Sequence, residues 1–285
     1  MRTAPSHRLG APACLAALLA LAALLGPRRG TAVEKPLWEF GMGVGGVLFQ
    51  DYRGADSSHF YPLPVPYFIY RGRFLRADRN GIRGRLLHQD HLILNISVNA
   101  TTPVRNNAAR SGMPDLRPTV EIGPSLEAHL WRSADRRITL DLKLPVRAVF
   151  TVESSPREIG ELVAPNLNLD AADLKALPGW DLGLLAGPIL IDRHYAGYFY
   201  SVAPRYATAA RPAYSAPGGY AGSELLASLS KRYPSFWVGA FVRYDTLAGA
   251  RFEASPLVKR ASYWAAGFGF AWMIRESDRL VETDE

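Results

Sequence analysis

The most regular feature of the chain is an alternation of apolar and polar residues with a period of two. In the segment RITLDLKLPVRAVF (137–150), every even position is apolar, whereas Asp141, Lys143 and Arg147 occupy odd ones. A β-strand points successive side chains to opposite faces, while a helix would bring Leu140 and Asp141 to neighbouring faces. The alternation therefore predicts β-strands.

The same pattern recurs along most of the chain, in about twelve segments. We place them at 37–50, 63–77, 81–88, 91–101, 118–131, 137–151, 160–169, 180–192, 195–206, 220–232, 236–247 and 262–274. Strands of soluble proteins are mostly about 5–6 residues long, whereas a tilted strand that crosses a membrane needs about 9–11. Because many of the segments reach ten residues, their length favours membrane-crossing strands.

The two faces of these segments differ in a way that distinguishes two all-β folds. A soluble sandwich or lipocalin-like barrel would bury the apolar face, whereas a membrane barrel turns it to lipid and lines its lumen with the polar face. Aromatic residues at the strand ends suit an interfacial girdle; the candidates are Tyr198, Tyr206, Tyr244, Trp264 and Trp272. Closure also removes the free sheet edges that lipid does not tolerate. We therefore predict a transmembrane, antiparallel, up-and-down β-barrel of about 12 strands.

The N-terminus carries a different signal. Arg2 and Arg8 precede the apolar run 13–26, and small residues follow at 30–32. The run is too short for a helix that spans a bilayer, which needs about 20 residues. Basic residues, a short apolar core and a small-residue site together predict a cleaved secretory signal peptide over 1–32.

The remaining chain divides into a barrel over 33–274 and a charged periplasmic tail over 275–285, which we expect to be disordered and dispensable for folding.

The only cysteine, Cys14, lies in the leader, so we expect no disulfide. The chain has 33 basic and 26 acidic residues, and the four arginines of the leader reduce the mature excess to three. This excess is too small to indicate a nucleic-acid partner. Export and barrel together predict the outer membrane of a Gram-negative cell.

An even strand number with both termini in the periplasm sorts the connections between strands. External loops are predicted near 51–62, 169–179, 207–219 and 248–261, and periplasmic ones near 78–80, 102–117, 152–159 and 232–235. The connection 102–117 is long for a periplasmic turn, which leaves two interpretations: a loose polar turn or a contact surface for a partner. Its candidate contact residues are Arg105, Arg110, Met113, Leu116 and Arg117.

Four segments carry a family resemblance: YPLPVPYFIYR (61–71), the block 179–233, WVGAFVRYDTLAGARFEASPLV (237–258) and GFGFAW (267–272). In these the chain resembles the MipA/OmpV family of outer-membrane proteins, the MltA-interacting proteins. The resemblance implies a scaffold that brings a murein lytic transglycosylase and a bifunctional penicillin-binding protein together in peptidoglycan assembly; adhesion and stress roles are also linked to the family. It assigns no catalytic residues. The chain departs from the family pattern by continuing past Ile274 with RESDRLVETDE.

Residues with reactive or metal-binding side chains are few and poorly placed for chemistry. HQDH (88–91) offers three metal-ligand types, but a tight turn separates adjacent side chains and no further ligand is evident. Asn95 and Asn99 begin glycosylation sequons, yet both are predicted to face the lumen. His129 lies beside Glu127 without a serine partner. The sequence therefore predicts no enzyme activity, metal or cofactor.

The charged positions of the lumen face form the most informative polar set. They are Glu121, Glu127, Asp141, Lys143, Arg147, Arg205, Glu224, Arg243 and Asp245. Mixed signs favour mutual pairing that stiffens or plugs the barrel, whereas an ion-selective pore would show one dominant sign. Three functions remain open: a scaffold for periplasmic partners in contact with outer-membrane lipid, a narrow solute channel, and a surface adhesin.

Overall fold

The protein is almost entirely β-structure. The computed structural model describes residues 33–71, 75–78, 81–84, 87–89 and 92–283. The predicted signal peptide lies outside these residues, as do the side chains of the HQDH segment. In the part of the chain that is described, no helix is both long and apolar enough to cross a membrane.

Sixteen strands and one α-helix are defined within the described residues. They are β1 (Val33–Pro36), β2 (Trp38–Gln50), β3 (Ser58–Arg71), β4 (Leu75–Asp78), β5 (Gly81–Gly84), β6 (Leu87–Gln89), β7 (Leu92–Thr101), β8 (Thr119–Arg132), β9 (Ile138–Thr151), β10 (Glu158–Val163), β11 (Asn166–Ala171), β12 (Trp180–Ile191), α1 (Arg193–Tyr200), β13 (Gly219–Arg232), β14 (Phe236–Thr246), β15 (Ser262–Glu276) and β16 (Leu280–Thr283). Short 3₁₀ helices occupy Ala108–Arg110 and Pro204–Tyr206.

One antiparallel sheet contains all strands except β1 and β16. Its order is β5-β4-β3-β2-β15-β14-β13-β12-β10-β9-β8-β7-β6, and β11 continues β10 between the same neighbours, β9 and β12. β5 also lies against β7, which brings the two ends of the sheet together. If β10 with β11, and β5 with β6, are each taken as one strand, the described sheet has twelve strand positions. The prediction of an antiparallel barrel of about 12 strands is confirmed.

The wall of the barrel turns its apolar face outward. On β9 the side chains of Leu142, Leu144 and Val146 are exposed on the outer surface. Asp141, on the opposite face of the strand, points into the lumen and is 5% exposed. A soluble fold would reverse this, because exposed apolar surface of this extent is unfavourable in water. The outer apolar surface and the polar interior define a membrane-spanning barrel.

Residues 195–206 do not form the predicted strand. They begin with α1, whose first turn is capped by the Asp192 side chain accepting from the Tyr195 amide at 2.8 Å. Ala196, Phe199 and Tyr200 are buried on one side of this helix. Their spacing of three and four residues is the helical period, and together with the Asp192 cap it is the signal in the sequence that points to a helix.

A second error concerns the segment 63–77, which contains a hairpin. Tyr70 pairs with Ala77, so β3 ends and β4 begins inside the segment. The missed hairpin adds one strand and the false strand at 195–206 removes one. The two errors cancel in the total of twelve, but every connection between them is assigned to the wrong end of the barrel.

The described connections therefore lie in two sets, at opposite ends of the barrel. The connections 51–57, 102–118, 152–157, 192–218 and 247–261 lie at one end, here called the loop end, and three of them have 15 residues or more. The turns 133–137, 172–179 and 233–235, each of eight residues or fewer, lie at the opposite end, the turn end, where β2 begins and β15 ends. In membrane barrels the short turns are periplasmic and the long loops extracellular. The predicted periplasmic placement of 102–117 and 152–159, and the external placement of 169–179, are wrong.

The predicted disorder of the C-terminal tail is also wrong for the part that is described. β15 continues to Glu276, and β16 then pairs with β1 in a separate two-stranded antiparallel ribbon at the turn end. The Leu37 amide donates to the Arg279 carbonyl at 2.8 Å beside this ribbon. β1 thus provides hydrogen-bond partners for the backbone of β16, although the tail has no apolar stripe of its own to bury.

Candidate functional site

The loop end is closed by a cap, which we define as the connections 51–57, 102–118, 192–218 and 247–261. The cap and the strand ends beneath it bury a shared apolar cluster that includes Tyr52, Leu116, Phe199 and Phe252. At its centre the rings of Tyr200 and Phe252 are stacked, with centroids 3.9 Å apart and planes inclined by 13°. Aromatic packing of this kind gives the cap a core of its own.

Hydrogen bonds within the cap join connections that are far apart in sequence. The Tyr52 hydroxyl donates to the Leu257 carbonyl at 2.8 Å, and the Tyr200 hydroxyl donates to the Arg53 carbonyl at 2.9 Å. The Ser255 hydroxyl donates to the Tyr200 carbonyl at 2.6 Å. Burial raises the pKa of Tyr52 to about 12, so its hydroxyl stays protonated and remains a donor at physiological pH.

The predicted partner-binding residues belong to this cap, at the opposite end from the predicted one. Arg110 is buried and donates through Nη1 to the Phe199 carbonyl at 2.9 Å. Leu116 is part of the apolar cluster, and the Arg117 amide donates to the Tyr198 hydroxyl at 2.8 Å. Arg105 is exposed and Met113 half-buried. The segment 102–117 therefore seals the barrel and does not face the periplasm.

Helix α1 carries the cap down into the lumen. Its Tyr195 side chain lies beside Glu121 on β8. Burial, followed by the negative charge of Glu121, holds the pKa of Tyr195 well above its usual range. A neutral tyrosine beside a lumen carboxylate therefore places the helix over the β8 wall.

Beneath Tyr195, the lumen carries a paired charge cluster on β8 and β9. Arg147 Nη1 lies 2.9 Å from Glu121 Oε2, and Arg147 Nε donates to Ser97 Oγ at 2.9 Å. The Asn99 amide also donates to Glu121 Oε2, at 3.2 Å. Because Glu121 is buried, this full set of donors is what makes its charge tolerable inside the barrel.

A second charge cluster lies on β14 and β15 and holds another part of the cap. Arg53 Nε lies 3.2 Å from Asp245 Oδ1 and also donates to the Tyr263 hydroxyl at 3.2 Å. Arg243 Nε lies 2.7 Å from the other oxygen of Asp245. Arg53 and Tyr195 thus dock the cap onto two different parts of the barrel wall.

The structure places eight of the nine predicted lumen charges inside the barrel and one outside it. Glu224 is opposite Asp245 in the β13–β14 register, and Lys143 is opposite Glu127 in the β8–β9 register. Arg205 instead lies exposed in the cap, with its guanidinium 4.9 Å from the centre of the Tyr206 ring. Arg205 was misplaced because its segment was predicted to be a strand.

His129 takes part in a polar network in the turn-side part of the lumen. Its Nδ1 lies 2.6 Å from Asp141 Oδ1, and Arg132 Nη2 lies 2.9 Å from its Nε2. Arginine only donates, so Nε2 accepts and the proton of the neutral ring resides on Nδ1, which donates to Asp141. Glu127 lies close enough to complete a three-ligand set. Both ring nitrogens are nevertheless engaged by side chains, and a metal ion would have to displace one of these hydrogen bonds.

The predicted girdle residues fall into two groups. Tyr244 and Trp264 lie near the loop end of the wall with ring centroids 4.9 Å apart, and Trp272 lies near the turn end. Both tryptophans are exposed on the outer surface. Tyr198 and Tyr206 are in the cap and not on the wall, because their segment is helix and loop.

The chain matches a protein-family model and is weakly similar to outer-membrane proteins of known structure. The family model described as "MltA-interacting protein MipA" matches residues 42–274. No curated protein matches the chain. Among solved structures, an outer-membrane channel from Pseudomonas putida F1 is 12% identical over 88% of this chain and all of its own, with a TM-score of 0.44. A bacterial polysaccharide outer-membrane secretin is 9% identical over 83% of this chain and 99% of its own, with a TM-score of 0.40. Both structural similarities are too weak to bear on function.

Proposed function

The chain belongs to the MltA-interacting protein family and is an outer-membrane β-barrel protein, and we propose that it is a scaffold. In this proposal it holds a murein lytic transglycosylase, and through it a penicillin-binding protein, at the inner surface of the outer membrane. The name of the family, which refers to interaction with such a transglycosylase, supports the choice of partner.

The closed loop end is the structural observation that carries the proposal. A conducting barrel needs a continuous polar path, whereas here an apolar cluster containing Tyr200, Leu247 and Phe252 covers the lumen. All three of these side chains are almost fully buried. A barrel closed at its loop end suits a protein whose partners lie in the periplasm.

The turn end offers a better docking surface than the segment 102–117. The turns 133–137 and 172–179 are linked there by Arg137 Nη1, which lies 2.8 Å from Asp173 Oδ2. Leu177 is 46% exposed on the second turn, and Leu280 of the β1–β16 ribbon is 50% exposed. Exposed apolar residues beside paired charges are typical of modest, transient interfaces.

Capture of the transglycosylase from solubilised native membranes tests the proposal with two matched variants. Leu177→Asp introduces a charge at the turn end, and Val152→Asp introduces the same charge at an exposed apolar residue of the loop end. We expect Leu177→Asp to weaken capture and Val152→Asp to leave it unchanged. The reverse result would place the interaction on the outside of the cell and favour the adhesin hypothesis.

Planar-bilayer conductance tests the channel hypothesis separately. The wild-type barrel is expected to show no steady conductance, because the cap has to be displaced before ions can pass. A stable open level in the wild type would make the channel the better interpretation of the barrel.

A further inference from the structure

We propose that the turn-side half of the lumen is a binding site for a short saccharide chain. A cavity of about 320 Å³ lies there, inside the wall formed by β3 and β11 to β15. Its lining combines two aromatic rings, two carboxylates and serine hydroxyls; the principal residues are Val65, Asp170, Asp181, Ser228, Trp237 and Phe241. Its lining residues belong neither to the cap nor to the turns 133–137 and 172–179, although Asp181 accepts from the Asp173 amide of the second turn at 3.1 Å.

The aromatic residues lie flat along the inner wall because glycines stand next to them. Trp237 and Phe241 both point inward on β14. A Cβ built on Gly239 would collide with the Trp237 indole, and one built on Gly267 would collide with the Phe241 ring. Each ring therefore covers a glycine, and the Trp237 ring also contacts the Tyr67 ring, with centroids 5.8 Å apart and planes inclined by 43°. The wall is built to present flat aromatic surfaces inside the barrel.

Polar groups face the same space on the neighbouring strands. Asp170 Oδ2 accepts from the Asn168 amide at 2.6 Å, which fixes the carboxylate. Its Oδ1 lies 3.5 Å from the position that a Cβ of Gly183 would occupy, and Ser228 Oγ lies 2.7 Å from the same position. The absence of a side chain at Gly183 therefore leaves a carboxylate and a hydroxyl side by side at the cavity wall.

This combination matches the chemistry of a pyranose ring. Such a ring has an apolar C–H face that stacks on an aromatic surface and a rim of hydroxyls that donate to carboxylates and serine. A purely apolar ligand would remove water from the charged carboxylates of Asp170 and Asp181, which is costly in a confined site. An anion would be repelled by the same two residues.

The length of the aromatic surface favours a chain of several rings over a small cation. Trp237 and Phe241 are four residues apart on one strand, which separates them by about 13 Å. One small ammonium ion contacts only one of the two rings at that distance, whereas a chain of two or three sugar rings reaches both. The cap closes the loop end, so the ligand enters from the periplasmic side. The two sources to be distinguished there are the amino-sugar glycan of murein and glucose oligomers.

Calorimetric titration of the full barrel in detergent tests the site with chitotriose and maltotriose as probes. We expect one of them to bind, and the one that binds identifies the amino-sugar or glucose source. Trp237→Ala should weaken that binding at least tenfold. The matched control is Trp264→Ala, which removes a tryptophan from the outer surface of the next strand and should leave affinity unchanged.

The proposal is overturned if neither saccharide binds, or if the Trp237→Ala and wild-type barrels bind the saccharide with equal affinity. It is also overturned if spermidine binds in place of the saccharide, because the site would then be a cation site. Heat-dependent gel mobility of each variant establishes that the barrel is folded. Transglycosylase capture by Trp237→Ala separates the two proposals, because the scaffold interaction is expected to persist when saccharide binding is lost.

Discussion

The two ends of the barrel hold themselves together by different physical means. At the loop end, long connections bring their own apolar residues and pack them around the Tyr200–Phe252 stack. At the turn end, short turns leave the lumen lined by glycine, hydroxyl and carboxylate groups around a cavity. The wall between them keeps its apolar side chains on the outside, where lipid replaces a packed core.

This difference shows where a membrane barrel can acquire function. The outward face of every strand is constrained by lipid and the inward face by the need to pair buried charges. Connections are free of both constraints, so the cap closes one end by ordinary globular packing. The inner wall of the turn-side half, where few side chains fill the lumen, is left available for a ligand. The following predictions test this contrast, from the largest expected effect to the smallest.

The largest effect is expected when the aromatic core of the cap is removed. Phe252→Ala deletes the ring stacked on Tyr200, and comparable core truncations cost about 3–5 kcal/mol. We expect the cap to open, which would appear as conductance in planar bilayers and as protease cleavage within 247–261. Phe268→Ala is the control, because Phe268 is 59% exposed on the outer wall and its loss should leave conductance unchanged.

The wall should be sensitive to charge on one face only. Leu142→Arg places a cation on the lipid-facing side of β9 and should cost about 2–4 kcal/mol near the midplane. Thr139→Arg, on the same strand, faces the lumen and should be milder. Heat-dependent gel mobility and yield in the membrane fraction measure the difference. Equal damage from both substitutions would contradict the assigned facing.

The attachment of α1 should depend on Asp192 and on pH. Asp192→Ala removes the helix cap and should cost about 0.5–2 kcal/mol. Burial raises the pKa of Asp192, but hydrogen bonds from the Tyr195 and Glu161 amides outweigh it and hold the pKa below its usual value. The stabilisation is therefore present above the unfolded pKa of about 3.9 and is lost as pH falls through the lower folded value.

Protease cleavage of 192–218 as a function of pH checks this prediction. Asp192→Asn is the informative control, because asparagine also caps helices but does not titrate in this range. It should protect the segment at neutral pH and show less loss of protection in acid. Identical acid sensitivity of the wild type and Asp192→Asn would assign the pH dependence to another group.

The smallest effect is expected for the ribbon at the turn end. Removal of 280–285 deletes β16, whose only strand partner among the described residues is β1. An isolated two-stranded ribbon is only marginally stable, so the barrel should lose little stability. Heat-dependent mobility should be unchanged. A truncated chain that fails to reach the outer membrane would show that the ribbon takes part in assembly.

The errors in predicting the ends of the barrel have a specific physical origin. Period-two alternation reports which face a residue occupies, but not where a strand reverses, so the hairpin at 71–76 was absorbed into one segment. In 195–206, tyrosines at alternate positions resembled a strand, although Asp192 and the spacing of Ala196, Phe199 and Tyr200 indicated a helix. Each error moves later connections to the opposite end, so one missed reversal was enough to misplace 102–117.

The sequence by itself determined the fold class and the facing of the wall, because lipid imposes the same alternation on every strand regardless of its neighbours. It also indicated that lumen charges of both signs would be present to pair with one another. Only the tertiary structure decided that the loop end is closed, that Arg53 and Tyr195 dock the cap on two parts of the wall, and that Phe241 lies over Gly267 and shares a cavity with Asp170. These features depend on contacts between residues tens to hundreds of positions apart, and no local period records such contacts.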